Sequence, residues 1–152
     1  MMCEHKDKTK TTGRVQLNVI SKDGEVIETY EYDNLIVDTG FSLIANRLGG
    51  VSANPAEYLA IGSDATAPAS SDTSLGAELD RGQATVSLTT TNVTDDTLRL
   101  ENTFTASSSI TIREAGIFNA ASGGELLARV LTGTVELDDG QSLQITYAVT
   151  IQ

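Results

Sequence analysis

The sequence predicts a mainly β fold: a two-sheet, β-sandwich-like domain of about eight or nine strands with one short helix. Three observations carry that prediction. Short stretches of alternating apolar and polar residues recur along the chain, separated by Gly, Asp, Asn and Ser turn clusters. Only one segment has helical spacing. Strand-forming and turn-forming residues dominate, while aromatics make up 5% and Trp is absent. A chain of 152 residues fits one domain with a real core.

Residues 1–13 read as an arm with nothing to bury, Lys6, Lys8 and Lys10 alternating with Asp7 and Thr9. The domain is expected over residues 14–152. From Arg14, Val15, Leu17 and Val19 alternate with polar residues, and Asp23-Gly24 supplies a tight hairpin turn. The outgoing strand, from Val26, is less cleanly amphipathic, and Asn34 to Val37 forms a further short apolar run. Asp38-Thr39-Gly40 opens the helix, with Asp38 or Thr39 as the expected capping side chain. Phe41, Ile44, Ala45 and Leu48 follow at helical spacing as the expected buried stripe. Arg47 suits the last turn, and Gly49-Gly50 ends the helix.

A short apolar strand, Tyr58 to Ile61, then breaks at Gly62 into a long loop of small and acidic residues. Regular structure resumes near Leu75 to Leu79. Residues 81–91 read as one strand pointing Ala84, Val86 and Leu88 inward. Asn92 to Asp96 is a turn-rich break. Leu98, Leu100 and Phe104 mark the next strand, and Ile110 through Phe118 the one after. Beyond the turn at Ala120 to Gly124, residues 125–131 are almost continuously apolar, which predicts a strand covered on both faces. Asp138-Asp139-Gly140 makes a turn. Leu143, Ile145, Tyr147, Val149 and Ile151 then occupy five consecutive odd positions, the clearest strand of all.

Composition narrows the function. A formal net charge of -11 and a sequence pI near 4.3 argue against binding nucleic acid or anionic lipid. No run approaches the roughly 20 apolar residues of a membrane-spanning helix. The N-terminus lacks the apolar core of a secretory signal, so synthesis and folding in a cytoplasm are expected. The single cysteine, Cys3, excludes an internal disulfide and leaves a bond to a neighbouring chain as its functional option. With His5 it offers two metal ligands where structural zinc takes four, so neither metal nor other cofactor is expected.

Catalysis is not expected either. The only histidine is His5, so a histidine-assisted nucleophile has no base within the domain, and no phosphate-binding glycine loop occurs. The carboxylate pairs Asp95-Asp96 and Asp138-Asp139 fall in turns and read as turn residues, with weak calcium binding as the alternative. Arg113-Glu114 is a charged pair inside an apolar strand. Successive strand residues face opposite ways, so the two should not pair with each other. Glu114 is expected to meet a distant cation, Arg81 or Arg47, and to brace a loop. Long loops on rigid sheets usually carry binding, which makes Ser63, Asp64, Pro68, Asp72 and Leu75, with Cys3, the candidate interaction residues.

Four segments in fixed order carry a resemblance: NLIVDTGFSLIANRLGG, YLAIGSDATAPASSDTSLGAELDR, ITIREAGIFNAASGGELLARV and DDGQSLQITYAVTIQ. Together they resemble small β-rich virion proteins of tailed bacteriophages, and they are similar to the N-terminal collar-type domain of their tail fibres. That family's apolar lead-in to the helix corresponds to Asn34 to Gly40, and its "(I/V)G-x-(G/D)" motif to Ile61 to Asp64. Its "T-x-L-x-x-E-x-x-R" trailer corresponds to Thr73 to Arg81, and "(I/F)-x-E-x-G-(I/L)-F" to Ile112 to Phe118. Read as given to Gln152, the sequence is expected to carry no fibre shaft and no receptor-binding tip. The resemblance therefore implies a non-enzymatic attachment or adaptor module at the neck, collar, baseplate or fibre attachment point. It also implies other virion proteins as partners and a homo-oligomer, often a trimer. The alternatives are a capsid decoration protein or, from another class, a carbohydrate-binding sandwich, for which exposed aromatics are few.

Overall fold

The computed structural model describes residues 11–152. Within them lie β1 (Thr11–Ile20), β2 (Val26–Ile36), α1 (Asp38–Leu48), β3 (Tyr58–Gly62), β4 (Glu78–Gln83), β5 (Thr85–Thr89), β6 (Thr97–Thr105), β7 (Ile110–Phe118), β8 (Leu126–Leu137) and β9 (Ser142–Ile151). The domain is mainly β with one helix, as expected. The strands form one nearly closed antiparallel sheet in the order β4-β3-β7-β8-β2-β1-β9-β6-β5.

Two bends fold this sheet into facing halves. β2 pairs with β1 through residues 26–34, then passes Leu35 and Ile36 to β8. The apolar run at Asn34 to Val37, expected as a separate element, is mostly the end of this one strand. The second bend is at Ala84, whose amide donates to the Glu57 carbonyl at 2.8 Å. It divides the expected strand over residues 81–91, sending β4 to β3 and β5 to β6. Strands that change partners in this way make the corners of a packed β structure. β1 also starts earlier than Arg14. Thr11, Thr12 and Gly13 pair with Ile151, Thr150 and Val149, so three residues assigned to the arm belong to the sheet.

One hydrophobic core joins the halves. Val15, Leu17 and Val19 of β1, Leu100 and Phe104 of β6, and Leu143, Ile145, Tyr147 and Val149 of β9 meet Leu59, Ile61, Ile112, Ile117, Leu127 and Val130 from the other side. Each such side chain contributes about 1.5–3 kcal/mol when fully buried. The expected inward alternation of β9 holds as far as Val149, and Ile151 is exposed. Residues 126–130 are all buried, as the continuous apolar run predicted. Val86 and Leu88 are the exception, remaining 44% and 59% exposed rather than inward.

The helix corrects two expectations. Its N-cap is Val37, with no side-chain cap hydrogen bond. The Asp38 amide instead donates to the Ser70 carbonyl at 2.8 Å, and the Thr39 hydroxyl donates to the Leu126 carbonyl at 2.6 Å. The buried line is Gly40 and Leu43, whereas Phe41 is 51% and Leu48 85% exposed. Gly40 explains the rotation. A Cβ there would overlap the Leu127 carbonyl, so the helix comes closest to β8 through its smallest residue.

Tyr147 is wholly buried, and neither its hydroxyl nor the amide atoms of Asn34 find a hydrogen-bond partner of ordinary geometry. Burial pushes the phenol well above its usual range. Tyr147→Phe is therefore expected to leave stability within about 1 kcal/mol of the parent, or to raise it, in urea unfolding. A larger loss would show that the hydroxyl is bonded in solution.

Candidate functional site: a clamped surface loop

The segment between β3 and β4 is held by two buried charges on neighbouring strands. Glu114 lies within β7, completely buried, opposite Gly62 of β3 in the register. A Cβ at position 62 would overlap the Glu114 carboxylate, so this strand ends on glycine to let it in. Oε1 accepts the amides of Ala77 at 2.8 Å and Asp64 at 3.3 Å, and Oε2 accepts that of Gly76 at 3.0 Å. One carboxylate thus ties down both ends of the loop.

Its counter-charge is Arg129 of β8, whose side chain is 3% exposed. Nε donates to Glu114 at 2.8 Å, Nη1 to Asp72 at 2.9 Å, and Nη2 to Asp64 at 3.3 Å and the Thr66 carbonyl at 3.0 Å. The guanidinium therefore sits among three carboxylates and holds the loop at three residues, Asp64, Thr66 and Asp72. Burial disfavours its charge, but the hydrogen bonds and attraction of Glu114 and Asp72 outweigh that and hold its pKa above the ordinary value. This is the cation that the sequence placed at Arg81 or Arg47. The correction follows from strand order: β7 and β8 are neighbours, which puts Arg129 beside Glu114, while Arg47 donates to the Ala53 carbonyl.

The other expected charges brace separate segments. Arg81 pairs with Glu78 at 2.6 Å, donates to the carbonyls of Ala120 and Gly123, and lies 3.6 Å over the Phe118 ring. It fastens the 120–124 turn to β4. Arg113 does not pair with Glu114, as strand geometry required, and donates to the Ser63 carbonyl at 3.3 Å.

Among the candidate interaction residues, three have inward tasks. Asp64 and Asp72 face Arg129, and Leu75 is buried with Val37, Ala60, Phe118 and Leu126. Ser63 donates its amide to Ala77, and Pro68 is half-buried. The most exposed loop residues are small and uncharged, Ala65, Thr66, Ala67, Ala69, Ser70, Ser71, Thr73 and Ser74, while Asp64 and Asp72 stay partly exposed beside Arg129. Cys3 and His5 lie outside the described residues.

The ionised groups at the loop are committed to holding its shape. Among the described residues, no group of three His, Cys, Asp or Glu side chains is arranged to hold a metal ion. Asp96 accepts the amides of Thr91, Asn92 and Val93 at 2.8–2.9 Å, the turn role expected for it. These bonds, with that of the Thr97 hydroxyl, hold its carboxyl far below the usual range.

The Asp72 carboxyl is also held down, first by the Ala69 amide and then by Arg129. Its folded-state pKa is the lower one, so its contribution to stability is full above about pH 4 and lost as pH falls through the folded value. Asp72→Asn is expected to flatten the fall in stability between about pH 5 and pH 2 in urea unfolding at stepped pH. An unchanged slope would place the acid sensitivity elsewhere. Compared with family models, curated proteins and solved structures, the chain finds no match.

Proposed function

We propose that this chain is a non-enzymatic structural module of a tailed-phage virion, placed at the neck, collar, baseplate or fibre attachment point. It would be made in the bacterial host cytoplasm and would join other virion proteins as a homo-oligomer. The observation that carries the reading is the Glu114–Arg129 clamp. A catalytic site leaves ionisable groups free toward a cleft, whereas here buried charges fix the form of a surface loop. The most exposed side chains of the loop they fix are small and uncharged, and its two carboxylates are already paired with Arg129, which suits close packing against a neighbouring subunit more than gripping a charged ligand.

Antibody-gold labelling of purified particles, viewed in negative stain, tests the reading. Label clustered at the neck or tail tip supports it. Label spread over the head replaces it with capsid decoration, and absence of label from all particles removes both.

A further inference from the structure

β2 and β8 are paired only where Leu35 and Ile36 meet Arg129 and Ala128. Through residues 26–34 β2 pairs with β1 alone, and from Leu131 to Leu137 β8 pairs with β7 alone. Among the described residues, each of these stretches therefore keeps one unpaired edge. Between the two edges opens a cleft of about 500 Å³ that reaches inward to Val19. Glu28 stands on its β2 side, and Glu136 and Asp138 on its β8 side, all three exposed. No lysine, arginine or histidine among the described residues lines it, and none of the three carboxylates has an ion-pair partner there. Glu28 accepts the Tyr30 hydroxyl at 2.7 Å, and Lys22 lies against Gly140, outside the lining.

Open strand edges bind extended segments, because an added strand satisfies their amides and carbonyls while its side chains supply selectivity. Here the selectivity is for positive charge. We propose that the cleft takes, as an added strand, the segment carrying Lys6, Lys8 and Lys10 of another copy of the chain. That segment holds three of the chain's four lysines at every second position, so an extended form aligns them on one side. Reach decides between copies. Lys6 stands five residues before Thr11, about 17 Å at full extension. Thr11 pairs with Ile151 at one end of β1, whereas Glu28 is opposite Val19, eight residues and about 26 Å along that strand. A chain's own lysines stop short of its cleft, and those of a neighbour are under no such limit. The inference rests on the self-assembly part of the proposed function and is independent of where in a particle the protein sits.

The experiment is sedimentation equilibrium of the full chain from about 1 to 100 μM in about 0.15 M salt. Screening over about 8 Å mutes the general repulsion between copies of charge -11 and leaves close ion pairs in force. The average mass is expected to rise above the 16.0 kDa of one chain. A variant with Lys6→Glu, Lys8→Glu and Lys10→Glu is expected to weaken association at least about tenfold, and so is one with Glu28→Lys and Glu136→Lys. The second variant is less negative than the parent, so bulk repulsion does not account for its loss. Both glutamates are exposed, and native circular dichroism is expected to persist. Mixing the two variants brings the basic segment of one to the acidic cleft of the other, and the mixture is expected to associate again. A single-chain mass at every concentration, association that survives reversal of the three lysines, or a mixture that stays monomeric each overturns the proposal. Gold labelling addresses the virion reading separately, so the two can fail independently.

Discussion

Replacing Arg129 by Met is expected to destabilise the domain by about 3–5 kcal/mol, the cost of leaving a buried charge without its partner. Glu114 would remain fully buried among three amide donors, and Asp64 and Asp72 would lose their cation. Against a typical total of about 5–15 kcal/mol, that is a large share. Urea unfolding gives the magnitude, and limited proteolysis between residues 63 and 77 gives the location, since a released loop should be cut first. The pair Glu114→Gln with Arg129→Met is expected to regain part of the loss by removing the stranded charge. It also keeps the test readable if the single variant does not fold. A loss under about 1 kcal/mol for Arg129→Met would mean that water screens the site and the clamp is weak.

The second large effect reverses a common rule. Gly→Ala inside a helix usually stabilises by about 1 kcal/mol. At Gly40 the added Cβ would sit 2.9 Å from the Leu127 carbonyl carbon and closer to its oxygen. That oxygen belongs to β8, which is fixed between β7 and β2 and has little room to move. Overpacking costs about 1–3 kcal/mol, so Gly40→Ala is expected to lower the melting temperature in spite of helix propensity. Gly49→Ala is the control. Gly49 has φ -80°, and the nearest atom to a new Cβ is 3.4 Å away, so this change should be neutral or stabilising. If Gly40→Ala behaves like Gly49→Ala, the helix shifts freely on the sheet and close contact does not set its rotation.

These two sites also show where the sequence stopped being legible. β9 and the glycine turns were readable because alternation and positive φ are local properties: Gly24 and Gly140 have φ 87° and 85°. Helix rotation was not, because the stripe through Phe41 and Leu48 satisfied hydrophobic spacing equally well. The choice fell to a contact between Gly40 and a strand some 90 residues away. Arg129 was hidden by its surroundings, since an apolar run reads as core whether or not one charge interrupts it. The usable signal was a lone acid in one buried strand and a lone base in the next. Pairing them requires knowing that β7 and β8 are adjacent. The bends at Ala84 and Leu35 were illegible for the same reason, because a strand that changes neighbours looks continuous along its own backbone.

The placement of β9 has a consequence for biosynthesis. The last strand lies inside its half of the sheet, between β1 and β6, and Thr11 pairs with Ile151. As the ribosome works, the β1–β2 hairpin emerges about 120 residues before β9, which at ordinary elongation rates is roughly 6–24 s. During that interval Val15, Leu17 and Val19 lack their cross-strand neighbours Tyr147, Ile145 and Leu143 on β9, and the β1 edge stays open. This architecture cannot be completed from front to back. The β1 edge can be covered only once β9 has been made, whatever has folded before it.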